Sequence, residues 1–311
     1  MATLMRLSVL VVSRTTSLLN QLSESLVAAT SLAETEVEIL VSWNGNFSDE
    51  QRIKNGSSYP LHIACRDPYH FASNVNALAD QAKGDLLLIL NDDVVLDPGS
   101  IDAAIACLTT TPNAGLVGGR LRSSDGMITH DGVGFTNDHS AYNLFEGLVP
   151  VNSPELRQDP ALSPAVIGAL MLLRRDDFLA IRFDESCQVH GEDTTLCFEL
   201  RQRKGLDVLV CPSCSGVHEP STTRSQIPGQ DGNPSDIAAL RKRRQRFLEQ
   251  ASAIELRKEL WCATREAHVL RSHLDWNDDA LHWREQVHRL QLHRLRLEND
   301  LRQLGGCGDD V

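Results

Sequence analysis

Two neighbouring carboxylates, Asp92 and Asp93, come just after an apolar run and are the first candidates for chemistry. The run, residues 86–90, is apolar at every position, and Asn91 separates it from the acids. Adjacent carboxylates at the end of a buried strand repel each other and are costly to desolvate unless a cation pairs with them. Their oxygens suit Mg²⁺ or Mn²⁺, which usually also bind substrate phosphates. The pattern indicates either a divalent-metal site or a plain turn before Asp97-Pro98.

A second acidic pair, Glu192-Asp193, opens a predicted helix after His190-Gly191. Carboxylates at a helix N-terminus are stabilised by the helix dipole and stay ionised. An ionised carboxylate can take a proton from an attacking alcohol. The residue types therefore fit a general base, and they fit simple capping of the helix equally well.

A histidine, His218, follows the last predicted strand. A single histidine is usually structural, and it becomes a candidate ligand only beside a metal ion. Cys211 and Cys214 precede it as a Cys-x-x-Cys pair, which leaves a zinc site as an alternative. The sequence specifies no fourth zinc ligand and no second pair of this kind, so buried thiols are the simpler interpretation.

Short apolar runs alternate with helix-like segments over the first two thirds of the chain, which predicts an α/β fold around a mostly parallel sheet. Ligands bind such sheets at the carboxyl ends of the strands, where these candidate residues lie. Residues 120–165 are rich in Gly, Asp, Asn, Ser and Pro and are expected to be mostly irregular. The predicted strands are residues 7–12, 37–41, 61–65, 86–90 and 206–211, and the predicted helices are 18–29, 72–82 and 192–204. Regular structure is also expected to resume over residues 165–173.

The chain is predicted to divide into a domain at 1–222, a linker at 223–234 and a helical region at 235–305. Apolar residues of the helical region recur at alternating steps of three and four, from Ile237 to Trp261 and from Trp276 to Leu304. This is the spacing of a coiled-coil seam. The two faces are expected either to dock on the chain's own domain or to self-associate. The change in composition also predicts that this appendage can be separated from the chemistry.

The overall charge is acidic, with 30 Lys and Arg against 42 Asp and Glu in 311 residues, a formal net charge of −12. This balance argues against a nucleic-acid partner, because affinity for phosphate backbones comes largely from Lys and Arg. It leaves anionic substrates open, since a metal ion can supply local positive charge. We expect no membrane-spanning helix and no secretory signal. The eight Cys are then expected to be reduced thiols in a cytoplasmic protein.

Taken in order, these features resemble the family-2 glycosyltransferases with the GT-A fold, over roughly residues 5–223. Asn91-Asp92-Asp93 is similar to the family's D-x-D metal motif, with Asn replacing the first Asp. Residues 115–135, 165–175 and 192–197 resemble three further stretches of bacterial polysaccharide transferases and rhamnosyltransferases. Trp43 stands where the family commonly has an Asp, and Thr195 replaces the second acid of E-D-x-D-L-C.

The resemblance implies a role for each matching residue. Asp93 and His218 would bind Mn²⁺ or Mg²⁺, and Asp193 would be the catalytic base. The implied donor-binding residues are Ser13, Arg14, Asn44, Arg66, Asn76, Asn91 and Asp92, and those of the sugar and acceptor site are Gly168, Ala169 and Glu192.

The expected activity is a metal-dependent, inverting transfer of a hexosyl or deoxyhexosyl group. The donor would be a nucleotide-diphosphate sugar, and the acceptor a hydroxyl of a glycan or glycoconjugate in polysaccharide biosynthesis. Two alternatives stay open: a degenerate transferase that only holds a glycan or a partner, and a sugar nucleotidyltransferase. The second usually has a Gly-rich basic loop, and residues 13–17 contain no Gly. Self-association through the C-terminal helices and peripheral membrane contact complete the expectations.

Overall fold

The predicted apolar runs form one ten-stranded sheet in a computed structural model that describes residues 6–219, 233–274 and 280–303. For residues 274 and 280–288 only the backbone is described. The strands are β1 (Leu7–Ser13), β2 (Val37–Trp43), β3 (Leu61–Cys65), β4 (Leu86–Asn91), β5 (Val94–Leu96), β6 (Ala114–Arg122), β7 (Ile128–His130), β8 (Val133–Phe135), β9 (Ala141–Asn143), β10 (Ala161–Leu162), β11 (Leu170–Arg174) and β12 (Asp207–His218). The helices are α1 (Thr16–Ala29), α2 (Phe47–Glu50), α3 (Phe71–Gln81), α4 (Ser100–Thr110), α5 (Arg175–Ile181), α6 (Glu192–Glu199), α7 (Pro234–Gln250), α8 (Ala253–Leu274) and α9 (Ala280–Gln303).

The main path of this sheet is β10-β12-β6-β11-β4-β1-β2-β3, with β5 paired to β12 and β7 paired to β6. The strands β8 and β9 form a separate two-stranded sheet, and the α/β class is confirmed. The strands β4, β1, β2 and β3 pair in parallel, as do β6 and β12. Between these two blocks, β11 runs antiparallel to both β4 and β6. Consequently β1, β4 and β12 all end at one edge of the sheet, and β11 begins there.

Both faces of the central strand β4 are covered, as its continuous apolar run predicts. Leu88 and Leu90 pack in one core cluster together with residues of α1 and α4. Leu87 and Ile89 pack in a second cluster with residues of α3, α5 and α6. All four side chains are fully buried, and a fully buried Leu or Ile typically contributes about 1.5–3 kcal/mol.

The segment 120–165 lies mostly outside strands and helices, as its composition predicts, but short strands run through it. It completes β6 and contains β7, β8, β9 and β10, each of which has only two or three residues. A third apolar cluster fills its interior, with Ile128, Phe145 and Val149 against Val269 and Leu290 of the helical region. The expectation of mostly irregular structure is confirmed, and the short strands within the segment were not predicted because they have no readable period of their own. The regular structure expected from residue 165 begins, as a strand, only at Leu170.

The predicted seam from Ile237 to Trp261 is interrupted, because α7 ends and α8 begins between these residues. Ala251 is extended at φ −69° and ψ 139°, and the Ser252 hydroxyl accepts a hydrogen bond from the backbone N–H of Glu255 at 3.2 Å. Ser252 therefore caps a new helix. Of the second seam, Trp276 and Leu304 lie outside the described residues, as do residues 220–232 of the predicted linker.

The helical region packs on the chain's own sheet domain. Phe247, Leu248, Leu256, Leu297 and Leu301 are buried in the cluster that also contains Phe135 and Phe198. Docking is therefore the arrangement that the structure describes, whereas self-association stays a prediction. Among the described residues, no helix has both the length and the apolar character that crossing a bilayer requires.

A buried ionic cluster locks the helices together. Arg244 of α7 is fully buried and pairs with Glu259 of α8, which also forms an ion pair with Arg201 at 2.6 Å. The Arg244 guanidinium lies 4.3 Å from the ring centroid of Phe135 and 5.5 Å from that of Phe247. Burial alone would raise the pKa of Glu259, but the two guanidinium groups outweigh it and lower that pKa to about 2.

We predict that Glu259→Gln lowers the free energy of unfolding by about 3–5 kcal/mol, because it leaves two buried guanidinium groups short of an anion. Since the folded-state pKa lies below the unfolded value of 4.5, this contribution is present above pH 4.5 and is lost as the pH falls toward 2. Urea unfolding of both proteins at several pH values measures the difference.

The control is Glu255→Gln, which removes a more exposed carboxylate that also pairs with Arg201. It should cost clearly less stability. Equal losses for the two variants, or a difference that does not shrink in acid, would contradict the assignment.

Candidate active site

A cavity of about 550 Å³ lies at the edge where β1, β4 and β12 end. It gathers most of the residues that the sequence singled out. Those that line it are Ser13, Arg14, Asn91, Asp92, Asp93, Gly168, Ala169, Glu192, Asp193 and His218.

Asp93 and His218 form the metal-type pair of this cavity. His218 is the register partner of Val94, the residue after Asp93, so the antiparallel pairing of β5 with β12 brings the two side chains together. The imidazole Nε2 lies 3.4 Å from the carboxylate Oδ1, and the side chains are 14% and 12% exposed.

A carboxylate oxygen and an imidazole nitrogen, both largely buried at the wall of a cavity, fit a divalent cation such as Mn²⁺. Among the described residues, no cluster of three or more His, Cys, Asp or Glu could hold an ion. The remaining ligands would therefore have to come from substrate phosphates and water, as is usual for Mg²⁺ sites.

Asp92 faces the end of β1 rather than His218. The Ser13 hydroxyl donates a hydrogen bond to its Oδ2 at 2.6 Å. Burial raises the pKa of Asp92 to about 7; the Ser13 hydrogen bond opposes the shift, and the neighbouring Asp93 charge adds to it. Asp92 thus ties the ends of the two central strands together at the cavity wall.

The Asp193 carboxylate is held by backbone N–H groups from two elements. Gly168, just before β11, donates to Oδ2 at 2.9 Å, and Thr194 donates to Oδ1 at 2.5 Å. The helix α6 starts after Gly191, whose φ of 98° belongs to the left-handed region that favours glycine. This turn brings Asp193 to the cavity at the positive end of the helix.

Three predicted donor-binding residues do not line the cavity. The Asn44 amide donates to the backbone oxygen of Asp67, and Arg66 forms a two-point pair with Glu50 at 2.8 and 2.6 Å. Asn76 exchanges hydrogen bonds of 3.0 Å with the backbone of Phe183. All three hold neighbouring loops, so any effect on a donor would be indirect.

The zinc alternative is wrong for the described residues. Cys211 and Cys214 are buried in the cluster beneath α4, and the Cys211 thiol donates to the backbone oxygen of Ala103 at 3.8 Å. A bulge in β12 between Cys211 and Ser215 precedes the turn of the strand toward His218. The seven cysteines of the described residues are all free thiols.

The sequence did not single out the wall formed by the helical region. Ile237, Leu240 and Arg241 of α7 line the cavity. Tyr142 lines it as well, and its hydroxyl donates to both carboxylate oxygens of Glu266 in α8 at 2.8 and 3.0 Å. Burial raises the pKa of Glu266 to about 8. The cap Asn233-Pro234 does signal a helix start, but no local pattern says which surface that helix covers.

A buried histidine behind the cavity was also not assigned from the sequence. His130 is 1% exposed, and its Nδ1 lies 3.0 Å from the Asn143 side-chain oxygen. Burial lowers the pKa of His130 to about 4, so the ring is neutral at pH 7. Within the described part of the chain, its Nε2 has no hydrogen-bond partner.

Comparison with known families gives one long match. The sequence profile of the family described as "Glycosyltransferase like family 2" matches residues 6–248, which includes nearly all of α7.

Two curated relatives are similar over part of their length. The O-antigen biosynthesis protein RfbC of Myxococcus xanthus is 31% identical over 226 residues, which are 69% of this chain and 17% of that protein. The N-acetylglucosaminyl-diphospho-decaprenol L-rhamnosyltransferase of Mycobacterium tuberculosis (strain ATCC 25618 / H37Rv) is 28% identical over 200 residues, 61% of this chain and 63% of that one. The chain therefore matches less than two thirds of the length of either relative.

Solved structures are similar in fold at low identity. The mannosyltransferase PcManGT from Pyrobaculum calidifontis, in complex with GDP-Man and Mn²⁺, has a TM-score of 0.54 at 12% identity, over 96% of this chain and 86% of that one. S. aureus TarS 1–349 in complex with UDP-GlcNAc has a TM-score of 0.55 at 16% identity, over 85% and 72%. These similarities confirm the GT-A fold that the sequence resemblance implies.

We predict that a chain ending at residue 234 is insoluble or fails to melt cooperatively, contrary to the expectation that the appendage is separable. Such a chain lacks the α7 wall and uncovers Phe135 and Phe198, which Arg244 and Phe247 cover. Circular dichroism during heating measures the cooperativity.

The matched control ends at residue 274 and keeps α7 and α8. It should unfold cooperatively at a somewhat lower temperature than the full chain. A chain ending at 234 that melts like the full chain would restore the interpretation of the helices as an independent appendage.

Proposed function

The chain belongs to glycosyltransferase-like family 2, and from this premise we propose that it moves a sugar from a nucleotide-diphosphate donor to an acceptor hydroxyl. The acceptor is a glycan or glycoconjugate, and the transfer inverts the anomeric centre. One observation carries the proposal: the Asp93–His218 pair and the Asp193 carboxylate face the same cavity of about 550 Å³ from different elements.

On the donor side, Asp93 and His218 would hold Mn²⁺ or Mg²⁺, which supplies positive charge to the diphosphate leaving group. The chain is acidic overall, with a net charge of −12, so an anionic donor needs such a local source of positive charge. Ser13, Arg14 and Asn91 line the cavity beside this pair. They contact the nucleotide end of the donor in the proposed arrangement.

On the acceptor side, Asp193 takes the proton of the attacking hydroxyl. Oδ2 accepts the backbone N–H of Gly168 and retains a further lone pair, whereas Oδ1 accepts both the N–H and the hydroxyl of Thr194. The two N–H groups orient the carboxylate before the acceptor arrives, so little reorganisation is needed during attack. Attack from the face opposite the leaving diphosphate forms the new glycosidic bond in one displacement, which inverts the centre.

The setting that the relatives support is polysaccharide assembly. One is named for O-antigen biosynthesis and the other for L-rhamnosyl transfer, which supports a hexosyl or deoxyhexosyl donor. A cytoplasmic location, self-association and peripheral membrane contact belong to the same proposal, and the decaprenol in the name of the second relative supports the last of these.

We predict that Asp193→Asn reduces the transfer rate by about 10²–10⁴-fold, the usual cost of losing a general base. The amide keeps the shape and one acceptor oxygen but cannot take the proton. Transfer is measured with whichever donor the wild type accepts from a panel of UDP-, GDP- and dTDP-sugars. The melting temperature should stay within a few degrees of wild type.

The control is Glu192→Gln, the neighbouring acid in the same first helical turn, which should lose much less activity. Loss of a cap would cost about 0.5–2 kcal/mol of stability, and activity would fall only with the melting temperature. Near-normal transfer by Asp193→Asn would return this residue to a capping role. Donor binding without transfer in the wild type would favour the glycan-holding alternative.

We predict that Asp93→Ala abolishes the Mn²⁺-dependent binding of a nucleoside diphosphate and that His218→Ala weakens it. Titration calorimetry with UDP, GDP and dTDP, with and without Mn²⁺, measures both affinities. The control is Asp97→Asn, an acid four residues further on that pairs with Arg122 outside the cavity lining. Unchanged metal and nucleotide affinity in both site variants would refute the metal assignment.

A further inference from the structure

The first turn of α7 holds the segment that precedes the proposed base. Asp236 is 6% exposed, and its Oδ2 accepts three consecutive backbone N–H groups. The donors are Gln188 at 3.0 Å, Val189 at 2.7 Å and His190 at 3.2 Å. Successive N–H groups that converge on one point form a concave anion-binding nest, and here a carboxylate of the helical region occupies it.

Two more contacts join the same helix to the same segment. Leu240 lies about 3.5 Å from where a Cβ would sit on Gly191, and Arg243 pairs with Asp184 at 2.7 Å. The helix α7 therefore holds residues 184–191 near both ends and in the middle. Asp193 lies two residues after the last of these contacts.

Stabilisation of its own helix does not explain where the Asp236 side chain points. The start of α7 is already capped by Asn233, whose side chain accepts the backbone N–H groups of Ser235 at 3.0 Å and Asp236 at 3.4 Å. The Asp236 carboxylate is instead directed at residues 188–190 of another segment. Its hydrogen bonds thus serve the segment and not the cap.

We propose that Asp236 is a positioning residue: its carboxylate fixes residues 188–190 so that Gly191 can present Asp193 to the acceptor hydroxyl. The inference rests on the proposed function, because it gives Asp193 the role of base. Asp236 itself touches neither donor nor acceptor in this arrangement. The base is then aligned by a helix that comes after the last strand of the sheet in sequence. More than ten residues separate that strand from the helix.

The test compares Asp236→Ala with Asp236→Asn and with Asn233→Ala. The last variant weakens the same helix start but leaves the contacts to residues 188–190 in place. Amide hydrogen exchange of residues 188–194 reports the positioning directly. The transfer rate and the affinity for UDP, GDP and dTDP with Mn²⁺ separate turnover from donor binding.

For Asp236→Ala we expect faster exchange at residues 188–190 and a kcat about 100-fold lower, since a misplacement of about 1 Å can cost that much. Nucleotide affinity should be unchanged. Asp236→Asn should recover part of the rate, because its amide oxygen can accept at the Oδ2 position. Asn233→Ala should keep a near-normal kcat at a similar loss in melting temperature.

Unchanged exchange in Asp236→Ala, or an equal loss of kcat in Asn233→Ala, would overturn the inference. The proposed function fails in a different way, through no transfer by the wild type from any donor of the panel, whereas normal transfer by Asp193→Asn would remove only the assignment of the base. Faster exchange in Asp236→Ala together with full transfer would show that the nest is structural only, and would overturn the inference while leaving the proposed function intact.

Discussion

The register of the central strands is the constraint on which the site depends. Side chains alternate between the two faces of a strand, so a slip of one residue exchanges them. Because β4 is buried on both faces by apolar residues, neither face tolerates such an exchange without a loss of packing. In this register Val12 lies opposite Asn91, and the pairing of β5, just after β4, with β12 sets His218 opposite Val94. These pairings place Asp92 against Ser13 and Asp93 against His218.

The electrostatics of the edge follow from this placement. Two adjacent carboxylates would be unfavourable in a wall of low dielectric constant, and in this structure each of them faces a different neighbour. Asp92 accepts a hydroxyl hydrogen bond, and burial raises its pKa, which favours its neutral form. Asp93 lies with a histidine at the cavity wall, where a cation can compensate it. Two neighbouring acids thus acquire different roles from the strands they face.

Local signals allowed much of this to be predicted from the sequence. The run 61–65 forms a strand with the predicted bounds, and α3 lies within one residue of its predicted ends. Both segments are flanked by residues that terminate regular structure. Residues at strand ends converge wherever strands share an edge, so most of the predicted site residues line one cavity. Asn44, Arg66 and Asn76 do not, because their side chains are used by loops that no spacing pattern specifies.

The helical region shows why its role could not be predicted locally. Its apolar spacing is satisfied equally well by a second chain and by the chain's own sheet, and only the three-dimensional packing distinguishes them. An apolar face alone can shift by a fraction of an ångström at small cost. A buried guanidinium cannot, because Arg244 without Glu259 would cost several kcal/mol.

The ionic cluster therefore fixes the position of α7 along its own axis, relative to the sheet domain. Arg244 and Asp236 are eight residues apart in one helix, roughly two turns or about 12 Å. A continuous helix transmits this position rigidly, so the cluster that anchors the C-terminal half of α7 also determines where the Asp236 carboxylate meets residues 188–190. The buried ion pair of Arg244 and the alignment of Asp193 are therefore coupled through one rigid helix, α7.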